Sequence, residues 1–205
     1  MNGATKKAAE ILTDNPASDL SQALSLNIFT KFSIIPSIKK MNYTDPKEIV
    51  IVVDKNDDVV DYLPRKEAHD KKLLHRGISI LVFNDQDQVM LQKRSMKKDS
   101  NPGKWSNATG GHVGKDEDYD QTAQREIMEE LKLKTKPVFI KKMIINDPAH
   151  TTMTQLYTVR SNGPFQFNPE ETDEIKFFSK DELVEIFDNL SESSKITLKE
   201  YGFLK

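Results

Sequence analysis

Cysteine is absent from this chain of 205 residues. Disulfides, thiolate metal sites and cysteine nucleophiles are therefore excluded at the outset. An excess of charge of either sign is also missing: 30 Lys and Arg stand against 32 Asp and Glu, for a formal net charge of −2. That balance gives no electrostatic basis for broad attachment to nucleic-acid polymers or to a membrane surface. Long apolar runs are missing too. The most apolar stretch near the start is interrupted by Lys31, so no membrane span is expected. The opening MNGATKKAAEIL lacks the basic-then-apolar pattern of a secretory signal, and a cytoplasmic location is the expectation. What is present is enough chain to bury one full core.

Residues 1–45 differ from the rest. Ala8–Leu12 and Ser18–Ile35 carry apolar residues at helical spacing, with Leu20, Ala23, Leu24 and Phe29 among them, and Ser18 or Asp19 is placed to cap. We expect a helical extension over 1–45, packed on the domain or on a partner subunit, rather than an organelle-targeting segment. Such an extension allows a homodimer. Residues 46–205 form the main domain.

In that domain Glu48–Asp54, Ile78–Phe83, Val138–Ile145 and Thr152–Val159 read as strands. Val59–Leu63 and Val89–Gln92 are expected as hairpin partners, and Phe165–Phe167 and Glu174–Phe178 as shorter strands. Arg65–Leu74 is helical in character. Ser179-Lys180-Asp181-Glu182 is a capping box that predicts a last helix running to about Leu190. Strands before and after a central helix, closed by another helix, give an α/β class and an α/β/α sandwich on a mixed sheet.

The chemistry concentrates at Gly111-His-Val-Gly-Lys-Asp-Glu117 and Arg125-Glu126-Ile127-Met128-Glu129-Glu130. Asp116 or Asp118 can cap a helix through this second stretch, and Ala123, Ile127 and Leu131 give it a buried stripe. Positions i, i+3 and i+4 share one helical face, so Glu126, Glu129 and Glu130 crowd into one arc. Like charges held together repel unless a cation neutralises them, and oxygen-only donors suit a hard ion such as Mg²⁺ or Mn²⁺.

Gly111, Glu117, Arg125, Glu126, Ile127, Glu129, Glu130 and Leu133 together resemble the Nudix box, G-x5-E-x7-R-E-U-x-E-E-x-G-U, where U is bulky and apolar. Lys132 stands where the box has its helix-ending glycine. A lysine in the left-handed conformation costs about 1 kcal/mol there but carries none of the chemistry. The resemblance implies a Nudix-type sandwich and divalent-metal-dependent hydrolysis of a diphosphate linkage in a nucleoside-diphosphate-X or another organic diphosphate. It implies Glu126 and Glu130 as metal ligands, with Glu129 beside them and a backbone carbonyl near Gly110 or Gly111. Arg125 would pair with Glu117. A general base would come from the box or from Glu170, Glu171 or Glu174.

Arg76-Gly-Ile-Ser79, Leu91-Gln-Lys-Arg94, Lys98, Pro102–Trp105 and Asn107–His112 further resemble the Nudix branch of isopentenyl diphosphate isomerase. In that branch an arginine and a lysine at the places of Arg94 and Lys98 hold the diphosphate. Three histidines near the places of His69, His75 and His112 bind a metal, and glutamates downstream of the box helix add ligands. Arg94, Lys98, His112 and Arg65 are therefore candidates for holding substrate. The isomerase also needs a cysteine where Gly110 stands, and this chain has no glutamate between Glu130 and Glu170. Hydrolysis is the preferred reading over isomerisation, and over a catalytically silent nucleotide-binding module, whose carboxylate set would be expected to decay. On this reading His69 is an ordinary packed histidine, His150 has no supporting context, and Trp105 belongs to the core.

Overall fold

The computed structural model describes residues 48–98 and 100–205. The expected extension over 1–45, and the boundary after it, lie outside them. In chain order the elements are β1 Ile49–Val53, β2 Val59–Pro64, α1 Arg65–Asp70, β3 His75–Phe83, β4 Val89–Arg94, β5 Trp105–Asn107 and β6 Thr109–His112. Then follow α2 Tyr119–Leu131, β7 Val138–Asn146, β8 Thr151–Arg160, β9 Thr172–Phe178, α3 Lys180–Glu185, a 3₁₀ turn Phe187–Asn189 and α4 Glu192–Glu200.

β3 organises the mixed sheet. Its run HRGISILVF is buried at nearly every position, as a strand covered on both faces must be. It runs parallel to β8, from His75 opposite Thr152 to Phe83 opposite Arg160. On its other edge it meets β1 at His75, then β6 over Gly77–Ile80, then β4 at Val82 and Phe83. Strand alternation splits its side chains between two layers. Ile78, Ile80 and Val82 pack with Ala123, Ile127 and Leu131 of α2, whereas Leu81 and Phe83 pack with Leu183 and Leu198 of α3 and α4. This is the α/β/α sandwich expected. Trp105 lies against the second layer, its ring edge-on to Phe178 at 4.8 Å.

α2 begins where Asp118 accepts from the Gln121 backbone N–H and Gln121 reciprocates, so Asp118 and not Asp116 is the cap. It ends with Lys132 in the left-handed conformation, φ 57°. Three expectations need correction. Phe165–Phe167 forms no strand: Pro164 has no N–H to give, Gly163 turns at φ 93°, and Gln166 N–H donates to Leu131 O of α2 instead. The last-helix prediction stops early, at Glu185, and passes into the 3₁₀ turn. α4 was not expected, because its buried face is largely Ser194 and Thr197 with only Leu198, too polar to register as a hydrophobic period. It is held by specific bonds: Asn107 N–H donates to Ser194 Oγ and Asn107 Nδ2 to Thr197 Oγ1, both at 2.8 Å. Among the described residues no helix is long and apolar enough to cross a membrane.

Candidate active site and histidine cluster

Helical spacing brings Glu126 and Glu129 of α2, with Glu117 from the preceding loop, to one guanidinium. Arg125 Nε and Nη2 donate to both Glu117 oxygens at 2.7 and 3.0 Å, while Nη1 reaches Glu126 at 2.8 Å and Glu129 at 3.2 Å. Burial alone would push the Glu117 carboxyl up; the Arg125 bonds and the Thr122 hydroxyl hold it below the ordinary carboxylate range. Loop and helix are thereby fixed to each other.

Glu126 is 2% exposed, and it lies against the backbone of β6. A side chain at Gly111 would place its Cβ 2.7 Å from Glu126 Cδ. That approach explains the glycine: nothing larger leaves room for the carboxylate. Glu130 follows one turn on and is half-buried. Its Oε2 and the Thr109 hydroxyl that faces it are both shielded from solvent. Burial, and after it the Glu126 charge, raises the Glu130 carboxyl well above its usual value. Two carboxylates that repel one another, one of their oxygens shielded from solvent, are the donor set a hard divalent cation would satisfy.

Arg94 is half-buried at the end of β4 and donates to Ser100 O at 2.9 Å and to Ser100 Oγ at 3.1 Å. Burial lowers its guanidinium from the usual value, against the charges of Glu130, Glu171 and Asp147 around it. Lys98 pairs with Glu171 at 3.4 Å. The three later glutamates separate clearly. Glu171 is felt electrostatically by both Glu130 and Arg94. Glu170 pairs with the exposed Lys97, and Glu174 sits opposite Lys93 on β9.

Strand alternation sends Thr109 and Gly111 toward α2 and turns His112 to the other side. There it meets His69 from α1 and His75 from β3; one ring nitrogen of each falls within 4.8 Å of the others. His150 joins them from the β7–β8 turn, its ring stacked on His69 at 4.9 Å. All four histidines of the chain thus share one cluster. His69, expected as an ordinary packed histidine, packs here against three other imidazole rings, and His150 was missed because the turn that carries it forward is invisible in its own neighbours. Burial holds His69 down to about 3 and His75 to about 4. Arg65 lies close enough to act on all four rings and so faces this cluster.

A NUDIX domain family model matches residues 73–199. The chain belongs to the NUDIX domain family. This Nudix chain is 30% identical over 145 residues to an isopentenyl-diphosphate Delta-isomerase of Pectobacterium atrosepticum, covering 68% of this chain and 81% of that protein. It is also 30% identical over 131 residues to a Nudix hydrolase of Pseudomonas aeruginosa, covering 63% of this chain and 78% of that one. The crystal structure of DR0079 from Deinococcus radiodurans shares the fold, with TM-score 0.59 at 20% identity over 74% of this chain and 98% of that one. By family it is a Nudix-type hydrolase, and divalent-metal dependence is the rule among such hydrolases.

Proposed function

We propose that the protein hydrolyses a diphosphate linkage in a nucleoside-diphosphate-X or another organic diphosphate, with Mg²⁺ or Mn²⁺. The observation that carries this reading is the solvent-shielded Glu130 oxygen held against the like charge of Glu126, a pair that a hard cation would relieve. Glu126 and Glu130 would hold the ion, with Glu129 beside them and the Gly111 backbone alongside. The ion would supply neutralisation of phosphate charge and a lowered pKa for water.

The chain's own residues do the rest. Arg125 keeps Glu117, Glu126 and Glu129 from springing apart. Arg94 and Lys98 bind the substrate phosphates, and entry of a phosphate would draw Lys98 from Glu171. Glu171, then freed of its cation and close to Glu130, takes a proton from the attacking water. His112 and Arg65 line the neighbouring histidine cluster, and Arg65 offers a further positive charge to the substrate. Composition continues to favour a cytoplasmic, small-molecule enzyme.

Isomerisation is the second reading, favoured by the name of the Pectobacterium relative. Against it, glycine stands at position 110 where the isomerase branch has its cysteine, and the chain has no cysteine anywhere. The test is a panel of dinucleotides, nucleotide sugars and isoprenoid diphosphates incubated with Mg²⁺. Cleavage at a phosphoanhydride supports hydrolysis. Rearrangement of isopentenyl diphosphate without phosphate release would replace it.

A further inference from the structure

We infer that Asp57, in the turn between β1 and β2, is a positioning residue for the carboxylate site: it ties together the two ends of the loop over 113–118 that carries Glu117. Asp57 lies outside the box. The inference rests on the reading that Glu126 and Glu130 hold the ion.

Both ends of that loop meet on one oxygen. Arg76 of β3 donates from Nε to Asp57 Oδ1 at 2.7 Å and from Nη2 to the Asp57 carbonyl at 2.8 Å. The Arg76 carbonyl in turn accepts from Val113 N–H at 3.1 Å. Tyr119, the first residue of α2, donates its hydroxyl to the same Oδ1 at 2.9 Å, with a longer approach to Met153 O at 3.3 Å. Lys142 of β7 donates to the other oxygen, Oδ2, at 2.6 Å. Arg76 and Lys142 also stand 5.3 and 5.7 Å from the Tyr119 ring centroid, within cation–π range. Glu117 comes two residues before Tyr119. A displaced Tyr119 would draw Glu117 from the Arg125 fork, and the same guanidinium orders Glu126 and Glu129.

The backbone separates the role of this carboxylate from that of the turn. Asp57 has φ 70°, a left-handed conformation that glycine adopts without strain. The turn closes without the Asp57 side chain: Asp57 N–H donates to Asp54 O at 3.1 Å, Asp54 N–H to Asp58 O at 3.0 Å, and Asp54 Oδ1 accepts from the N–H groups of Asn56 and Asp58. Yet the Asp57 side chain is 8% exposed and turned inward on two cations and a hydroxyl. Burial alone would raise its carboxyl; the bonds from Lys142, Arg76 and Tyr119 bring it below the ordinary carboxylate range. At neutral pH it is therefore a pure acceptor. A left-handed residue whose side chain closes a buried network points to a function beyond the turn.

The experiment compares wild type with Asp57→Gly, Asp57→Asn and Tyr119→Phe. Mn²⁺ alone is the probe, read by electron paramagnetic resonance; the Arg125 Nε–H signal is read without metal by nuclear magnetic resonance. Glycine suits φ 70° but removes both oxygens. Mn²⁺ affinity should then fall about 10-fold, as on loss of an outer partner of a metal ligand, and the Arg125 signal should move as its fork to Glu117 loosens. Asparagine keeps an acceptor in the place of Oδ1 and loses the charge and the Lys142 bond. It should melt below wild type yet return most of the affinity and the Arg125 signal. Tyr119→Phe leaves the turn whole and should move both readings in the direction of the glycine variant, which decides the matter if Asp57→Gly does not fold. An unmoved Arg125 signal in folded Asp57→Gly or in Tyr119→Phe, or an asparagine variant as impaired as the glycine one, would overturn the inference. Failure of wild type to hold Mn²⁺ on Glu126 and Glu130 would instead refute the proposed site, and the metal-free Arg125 signal would still test Asp57.

Discussion

Arg125 grips Glu117 through two parallel hydrogen bonds at 2.7 and 3.0 Å, across eight residues of sequence. The same guanidinium reaches Glu126 and Glu129, so one residue orders the approach to α2 and the acidic face of the helix. A lysine cannot reproduce that fork. Arg125→Lys should destabilise the fold by about 2 kcal/mol, the range for charged hydrogen bonds, and lower kcat. Urea unfolding and steady-state kinetics would check both, and an unchanged unfolding midpoint would refute the structural role.

Glu130 should behave as a stability–function compromise. Its folded carboxyl is raised by burial and by Glu126, so the folded metal-free protein holds a proton that the unfolded chain releases. Stability from this group is complete below the unfolded carboxyl value and is lost as pH rises toward the folded one. Glu130→Gln should therefore raise the metal-free melting temperature by about 2–4 °C at pH 8, roughly 1 kcal/mol for a chain of this size, while reducing kcat by about 10³-fold. The thermal gain should vanish near pH 4.

The histidines run the opposite way. Their folded values are depressed, to about 3 for His69 and about 4 for His75, so the unfolded chain takes up protons first. Their contribution is present above about 6.5 and lost as pH falls toward the folded values. Urea midpoints of the metal-free protein should drop between pH 7 and 5, and less so in His75→Gln.

Gly111→Ala should leave secondary structure intact but displace Glu126, whose Cδ lies 2.7 Å from the new Cβ. Overpacking of this kind costs about 1–3 kcal/mol. Mn²⁺ affinity, read by electron paramagnetic resonance, should fall; equal affinity in a folded variant would show that Glu126 does not hold the ion.

Lys132→Gly should do the reverse. Relief of the left-handed lysine at φ 57° should add about 0.5–1 kcal/mol after the entropy of glycine is counted, with kcat unchanged.

The box was legible because its chemistry is local: Glu117, Arg125, Glu126 and Glu130 lie within one loop and one helix, where spacing alone sets the face. The central strand β3 and the stripe Ala123, Ile127 and Leu131 were legible for the same reason. The full histidine cluster was not: the family resemblance drew His69, His75 and His112 together, but nothing in the sequence brought in His150. His69, His75, His112 and His150 come from a helix, two strands and a turn, joined only by the pairing of β3 with β6 and β8. Glu171 stood out from Glu170 and Glu174 only once β9 had been placed beside β4. α4 escaped because serine and threonine fill its buried face.

The most direct measurement is Mg²⁺-dependent turnover of the cleaved substrate in ¹⁸O-labelled water by wild type and Glu130→Gln, with products weighed by mass spectrometry. One ¹⁸O per turnover in a phosphate product of the wild type, abolished without Mg²⁺ and in Glu130→Gln, is the expected result. No phosphoanhydride cleavage, or equal cleavage by the variant, would contradict a hydrolase built on the α2 carboxylates.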